Sequence, residues 1–374
     1  MQSSRSRRRG VDLDDPSSYR ELDPAGMVGF ATDLPAQIEE ASEIGRRFEA
    51  PAAFRDPSNI VLAGMGGSAV AGDFLMRLCE ERLAVPFVVS RNYEIPAFVG
   101  PETLFIASSH SGDTEETLTA VRGALRREAR ILCITTGGKL SAFARRHRKD
   151  GVALLEIPQT DPPMPPRAAL GYSLIPLVRA LESLGLYASA GRHISEAVRL
   201  VAKLRDGVHP KVETRRNRAK RLALALFGKV PWIHGTVGIM GAAAYRWRTQ
   251  FNENSKTLAY SSECPELNHN EVVGWELAER LPARIEVVML LRPGDHWRNR
   301  ARVDIVRKKL VGPKARVHVI EAQGRSALAQ LLWTVYLGDW TSLYLAFLRG
   351  VDPASIDSID TLKRALARLK RPRE

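Results

Sequence analysis

Residues 60–69 read Ile60-Val61-Leu62-Ala63-Gly64-Met65-Gly66-Gly67-Ser68-Ala69, and a helical pattern continues from there through Leu78. A short continuous apolar run bounded by turn residues is what a strand buried on both faces requires. The glycines behind it let the backbone turn sharply into the following helix. Outward from this unit the plan repeats. Residues 86–89, 104–107, 131–135 and 153–157 read as further strands, with helices near 114–128 and 140–149. Continuous apolar strands alternating with amphipathic helices indicate a parallel sheet covered on both faces.

The second half echoes the first. Val230-Pro231-Trp232-Ile233-His234-Gly235, followed by Gly238-Ile239-Met240-Gly241, repeats the plan of residues 59–69. Residues 286–291 match 104–107, and 315–321 with Gln323-Gly324-Arg325 parallel 129–135 with Gly137-Gly138-Lys139. The expected fold is therefore α/β, two tandem lobes that are each a parallel sheet flanked by helices. Their boundaries are expected at 28–188 and 189–374, with a ligand cleft at the junction. Residues 27–48 have helical periodicity. The five prolines in 158–167 forbid helix and central strand and predict a fixed loop entering a helix over 168–186. Helices near 191–205 and 211–226 follow. Residues 1–27 are polar, turn-rich and aperiodic, and are expected to form a flexible Arg-rich extension.

Composition narrows the function classes. The chain has 374 residues, 44% hydrophobic and 26% charged, which is ordinary for a globular protein of about two domains. The stretch 230–245 is apolar but broken by Pro231, His234 and glycines, short of the roughly 18 residues a membrane span needs. The polar start has no apolar core of a secretory signal. Cys79, Cys133 and Cys264 lie far apart, giving neither a disulfide framework nor metal-ligand spacing and suggesting a reducing cytoplasm. With 55 Lys+Arg against 42 Asp+Glu the net charge is +13. Nucleic acid is not the expected partner, because the basic stretches 145–149, 211–221 and 363–373 have no interleaved aromatics for base stacking. An anionic metabolite suits the same charge.

Two motifs localise that anion. In Gly64-Met65-Gly66-Gly67-Ser68-Ala69 the glycines admit a ligand close to the backbone, and N–H groups at a helix start attract negative charge. The dinucleotide spacing fails at Ala69, and no Gly-Lys-Ser/Thr of a Walker sequence occurs. The second motif, Ser108-Ser109-His110-Ser111-Gly112-Asp113-Thr114-Glu115-Glu116-Thr117, also joins a strand to a helix. Ser109, Ser111 and Thr114 offer three hydroxyls within one turn, which suits a phosphomonoester. A bland alternative is that Thr114 only caps the helix with Thr117 or Glu116.

Together the loops resemble the sugar isomerase (SIS) domain. Gln250-Phe251-Asn252-Glu253-Asn254-Ser255-Lys256, Glu266-Leu267-Asn268-His269-Asn270-Glu271, Pro165-Pro166-Arg167-Ala168-Ala169-Leu170 and Asp360-Thr361-Leu362-Lys363 resemble the bifunctional phosphoglucose/phosphomannose isomerase family, in its order, over about residues 28–370. Such chemistry removes a proton from carbon next to a carbonyl, which a carboxylate can do. The resemblance implies that Glu253 is the base and that its neighbouring asparagines meet substrate hydroxyls. It implies His269 for ring opening, entering from the other subunit of a homodimer, with Lys363 assisting. Arg167 would stabilise the enediolate. Gly67, Ser68, Ser109, Ser111 and Thr114 would hold the phosphate. The remaining seven histidines lack such polar company in sequence and read as structural or surface residues. No cofactor and no metal are implied. His110 and Asp113 depart from the family's usual aromatic and asparagine, so Asp113 has to point away from a dianion. Should Glu253 not be the base, Glu263 and Glu271 come next. A non-catalytic SIS-type sugar-phosphate regulator is the alternative of another class, and a metal-dependent isomerase is disfavoured by the absence of ligand spacing.

Overall fold

The computed structural model describes residues 11–276, 281–366 and 368–369. The first part of the Arg-rich extension, residues 1–10, and the last of the basic carboxyl-terminal stretch lie outside the described residues.

Helices α1 (Met27–Thr32) and α2 (Leu34–Arg47) precede the first sheet. That sheet contains β1 (Asn59–Ala63), β2 (Phe87–Ser90), β3 (Thr103–Ser108), β4 (Arg130–Thr135) and β5 (Ala153–Glu156), all parallel in the order β2-β1-β3-β4-β5. Its crossovers include α3 (Gly66–Cys79), α4 (Glu115–Arg126) and α5 (Gly138–Arg146). Ile60 lies opposite Leu104 and Ile106 opposite Leu132. Alternate residues point to opposite faces, so Ile60, Leu62, Leu104, Ile106 and Leu132 enter one core while Val61, Phe105, Ala107 and Cys133 enter another. Burial on both faces is the reason these strands carry unbroken apolar runs.

Three helices follow: α6 (Leu170–Ser183), α7 (Ala190–Val208) and α8 (Arg218–Leu226). The last starts seven residues later than the sequence pattern predicts, because the Asn217 side chain accepts the N–H groups of Ala219 and Lys220 and sets the helix start. The second sheet is β6 (Val230–Thr236), β7 (Tyr260–Cys264), β8 (Ile285–Leu291) and β9 (Arg316–Glu321), parallel in the order β7-β6-β8-β9. Among the described residues it repeats the first sheet's topology without a fifth strand. Helices α9 (Ile239–Ser255), α10 (Glu271–Gly274) and α11 (Trp297–Ile305) belong to it, followed by α12 (Ala327–Leu348) and α13 (Asp357–Leu366).

One face of each sheet turns onto a single core, where Ile233, Val288, Leu290 and Ile320 join Ile60 and Leu104. The axis of that core is α12, whose Trp333, Tyr336, Trp340 and Tyr344 are all buried. Its sequence is apolar round the whole circumference, so no amphipathic stripe announces it. Among the described residues no helix is long and apolar enough to cross a membrane.

The expectation of a flexible extension fails for residues 11–27. Leu13, Tyr19 and Met27 are buried, and the Tyr19 ring stacks on Phe347 at 4.5 Å. Asp14 accepts both the N–H and the hydroxyl of Thr214 at 2.7 Å and pairs with the fully buried Lys220 at 3.2 Å. These are isolated anchors in polar sequence, and periodicity cannot reveal them. Tyr19→Ala is expected to lower unfolding stability by about 3 kcal/mol, as for other buried aromatic truncations. Urea unfolding measures it, and an unchanged midpoint would make the packing incidental.

Candidate active site

The site is built where chain leaves the carboxyl ends of the first sheet's strands, the usual ligand position in open α/β sheets. After β1 the glycine turn runs against the proline loop. A Cβ on Gly67 would lie 3.0 Å from the Pro166 carbonyl oxygen, so glycine is needed for the two segments to touch. After β3, the Ser109 hydroxyl lies 2.8 Å from that of Thr114 and accepts the Gly112 N–H at 3.1 Å. Gly112 has φ +75° and approaches the Gly137 carbonyl so closely that a Cβ would lie 1.9 Å from it. Ser111 is exposed and accepts the Asp113 N–H at 3.3 Å. Ser68, at the start of α3, is buried.

Neither α3 nor α4 is capped by a side chain at its amino terminus. Thr114 occupies the cap position of α4, yet its hydroxyl goes to Ser109, so it does not act as a simple cap. In the second lobe a different helix start, that of α12 after β9, which corresponds to α5 after β4, is held by side chains. There the Glu196 carboxylate accepts the N–H groups of Arg325 and Ser326, at 2.6 and 3.1 Å, and Ser326 accepts from Ala329. The starts of α3 and α4 carry no side-chain acceptor, and neither does that of α9, so their N–H groups can meet an anion. Asp113 does not oppose this: its carboxylate accepts the Lys139 N–H at 3.3 Å, at the start of α5. Burial pushes the His110 imidazole below its ordinary value, so it is neutral at pH 7 and adds no charge to the loop.

Beside the glycine turn, the proline loop closes in a short 3-10 turn, Pro166–Ala168, that presents Arg167. Its guanidinium is buried, and Nε and Nη2 are taken by protein acceptors. Nε donates to Asn254 Oδ1 at 2.7 Å, and Nη2 donates to the carbonyls of Pro353 and Ala354 at 2.5 and 2.9 Å. Nη1 faces Glu253 Oε2 at 3.4 Å. Burial presses the guanidinium below its ordinary value, with Glu253 opposing that, and a group so basic remains charged. Glu253 sits in the last turn of α9, partly exposed, while Arg246, Gln250 and Asn254, spaced four apart, form that helix's buried face. Arg246 donates to the Arg167 carbonyl at 2.9 Å and pairs with Asp339 at 2.8 Å, and Gln250 donates to the same carboxylate. Lys256 caps the end of α9 and its Nζ binds the carbonyls of Asp352 and Ser355 at 2.6 and 2.9 Å, tying down the segment that leads into α13.

A carboxylate, a fixed cation and an anion-attracting turn thus meet along one continuous contact path. A curated relative from Caldicellulosiruptor bescii, a bifunctional phosphoglucose/phosphomannose isomerase, is 43% identical over 92% of this chain and 100% of its own. The chain belongs to the bifunctional phosphoglucose/phosphomannose isomerase family. A relative of the same name from Aquifex aeolicus is 33% identical over 82% of this chain and 90% of its own. Residues 53–150 match the SIS domain, and 215–366 match the bacterial phospho-glucose isomerase C-terminal SIS domain. The fold is similar to the crystal structure of a glucose-6-phosphate isomerase like protein from Thermus thermophilus, with TM-score 0.59 and 20% identity, covering 93% of this chain and 99% of that one.

Among the described residues, neither His269 nor Lys363 forms a hydrogen bond or ion pair with Glu253. His269 lies exposed on the turn Glu266–His269 after β7, and Lys363 is exposed on α13. Of the asparagines flanking Glu253, buried Asn254 is engaged by Arg167 and Ser342, whereas exposed Asn252 accepts the Ala259 N–H through Oδ1 only. Asn268 and Asn270 bond locally to Cys264 and Glu266. The two reserve carboxylates lie elsewhere. Burial pushes Glu263 up, opposed by Arg77 3.8 Å away. Burial is the largest single influence on Glu271 too, but His234, 2.8 Å away, and neighbouring donors together outweigh it and leave the carboxyl below its usual range. His234 therefore does have polar company, contrary to the sequence reading, because the two residues lie on separate elements 37 positions apart.

Proposed function

We propose that the chain interconverts glucose 6-phosphate, and mannose 6-phosphate, with fructose 6-phosphate through a cis-enediolate. The observation that carries this reading is the Glu253 carboxylate 3.4 Å from the buried Arg167 guanidinium, beside the glycine turn. Glu253 takes the C2 proton of the open aldose and returns it to C1, while the hydroxyl proton on O2 passes to O1. Arg167 balances the negative charge that grows on the two oxygens. The first lobe's turns, with Gly67, Ser68, Ser109, Ser111 and Thr114, hold the phosphate by N–H and hydroxyl donors. The regulator alternative is not favoured, since it leaves Glu253 without a task. The test is an assay of purified protein with glucose 6-phosphate and mannose 6-phosphate, with EDTA present, together with solvent exchange of the C2 proton. Turnover and exchange that survive EDTA are expected, and zinc-restored activity would remove the metal-free mechanism.

The ring-opening groups, His269 with help from Lys363, come together in a homodimer, His269 being given by the second copy. Exposed apolar residues beside both support it: Val273 near His269, and Ile359, Leu362 and Leu366 along α13. Mixing Glu253→Gln with His269→Ala subunits then restores activity. Half of the dimers are mixed and one of their two sites is intact, so about a quarter of wild-type turnover is expected. No recovery would place His269 and Glu253 of one chain in the same site. The three thiols are free and buried, which suits a reducing cytoplasm.

A further inference from the structure

A cleft of about 680 Å³ lies between α7, α8, α12 and the edge strand β9, and it shares no lining residue with the candidate active site. Lys203, Arg216, Arg218, Arg221 and Arg316 converge on it from three segments, and no carboxylate lines it. Neighbouring cations on the same segments do find acids: Arg205 pairs with Asp206, and Arg215 with Glu213. Among the described residues none of the five lining cations is in an ion pair, and His318, at the rim, is engaged by Glu286. Arg218 is half-buried over the Trp333 ring at 4.9 Å, and burial with the nearby Arg221 charge pushes it below its ordinary value. Unpaired cations held together around a recess are unfavourable unless an anion joins them.

The cleft also constrains which anion. Its volume is that of a small-molecule site, and Leu204, Leu337 and Ile320 supply an apolar floor. A hexose monophosphate has one dianion and no apolar body, so it would leave most of these groups unused. Single-stranded nucleic acid needs an extended groove with open aromatic platforms. Here the indole of Trp333 is 2% exposed and covered by Arg218. The outer face of that guanidinium is a platform for a flat ring. We propose that this cleft is a second ligand site, taking a nucleoside diphosphate or a molecule of the same chemistry, with the phosphates on the arginines and the base on Arg218 and the apolar floor.

Calorimetric titration of the full chain with ADP, repeated in saturating glucose 6-phosphate, tests the assignment. One ADP per chain is expected, unaffected by the sugar phosphate, with pyrophosphate binding more weakly because it leaves the floor empty. The exposed pair Arg216→Ala/Arg221→Ala should weaken ADP at least about tenfold by removing charge-assisted bonds. Its melting temperature and its turnover without ADP should stay as in wild type. Absence of ADP binding, displacement by glucose 6-phosphate, equal binding of pyrophosphate, or undiminished binding by the double variant and by Arg218→Gln would each overturn the proposal. So would a change of oligomeric state in the double variant with ADP affinity intact, which would make the cleft a subunit contact.

Discussion

Glu253→Gln is expected to lower kcat by about three to four orders of magnitude, the upper range for removing a positioned base. KM should stay within about threefold, because a base acts mainly in the transition state and the phosphate grip lies in other segments. The fold should survive. The glutamine keeps the shape, and Arg167 retains its bonds to Asn254, Pro353 and Ala354. Exchange of the C2 proton must fall together with turnover, since both need the same abstraction. If exchange persisted while turnover fell, Glu253 would serve a later step. If both persisted, the base would have to be another group, and Glu263 beside Arg77 or Glu271 beside His234 would have to be reached by a substrate bound far from Arg167.

The parts of this arrangement that the sequence makes legible are those set by local pattern. The first sheet follows from unbroken apolar runs, the second from its echo of that plan, and the two turns follow from glycines and hydroxyls beside them. β7, by contrast, reads Tyr260-Ser261-Ser262-Glu263-Cys264; it is an edge strand, paired on one side only, and carries no apolar run. The Asn252-Glu253-Asn254 motif marks the site but not its division of labour. Successive residues on a helix point about 100° apart. Glu253 consequently looks out while Asn254, 1% exposed, points back to hold Arg167. Lys256, the last residue of the same motif, becomes a strut because its φ of +50° ends the helix and its amine meets carbonyls almost a hundred positions away. Such pairings are made by tertiary packing, and no periodicity in one chain encodes them.

Arg167→Lys is expected to reduce kcat/KM by roughly a hundred- to a thousandfold, the usual effect of losing one preorganised donor at a developing oxyanion. The charge is retained, so the loss would come from geometry. The guanidinium uses its planar fork in three directions at once, towards Asn254, towards the carbonyls of 353 and 354, and towards Glu253. An ammonium on a flexible stem cannot satisfy all three. The carbonyls left without a donor should also cost about 1–3 kcal/mol of stability, so turnover is to be compared at a temperature where the variant is fully folded. Asn254→Ala separates orientation from charge. It leaves the cation in place but frees Nε, and its expected effect is smaller, about tenfold in kcat with KM little changed. Wild-type kcat/KM in the Arg167→Lys enzyme would reduce Arg167 to a brace for residues 353–354, and charge stabilisation of the enediolate would then have to come from the backbone N–H groups of the glycine turn.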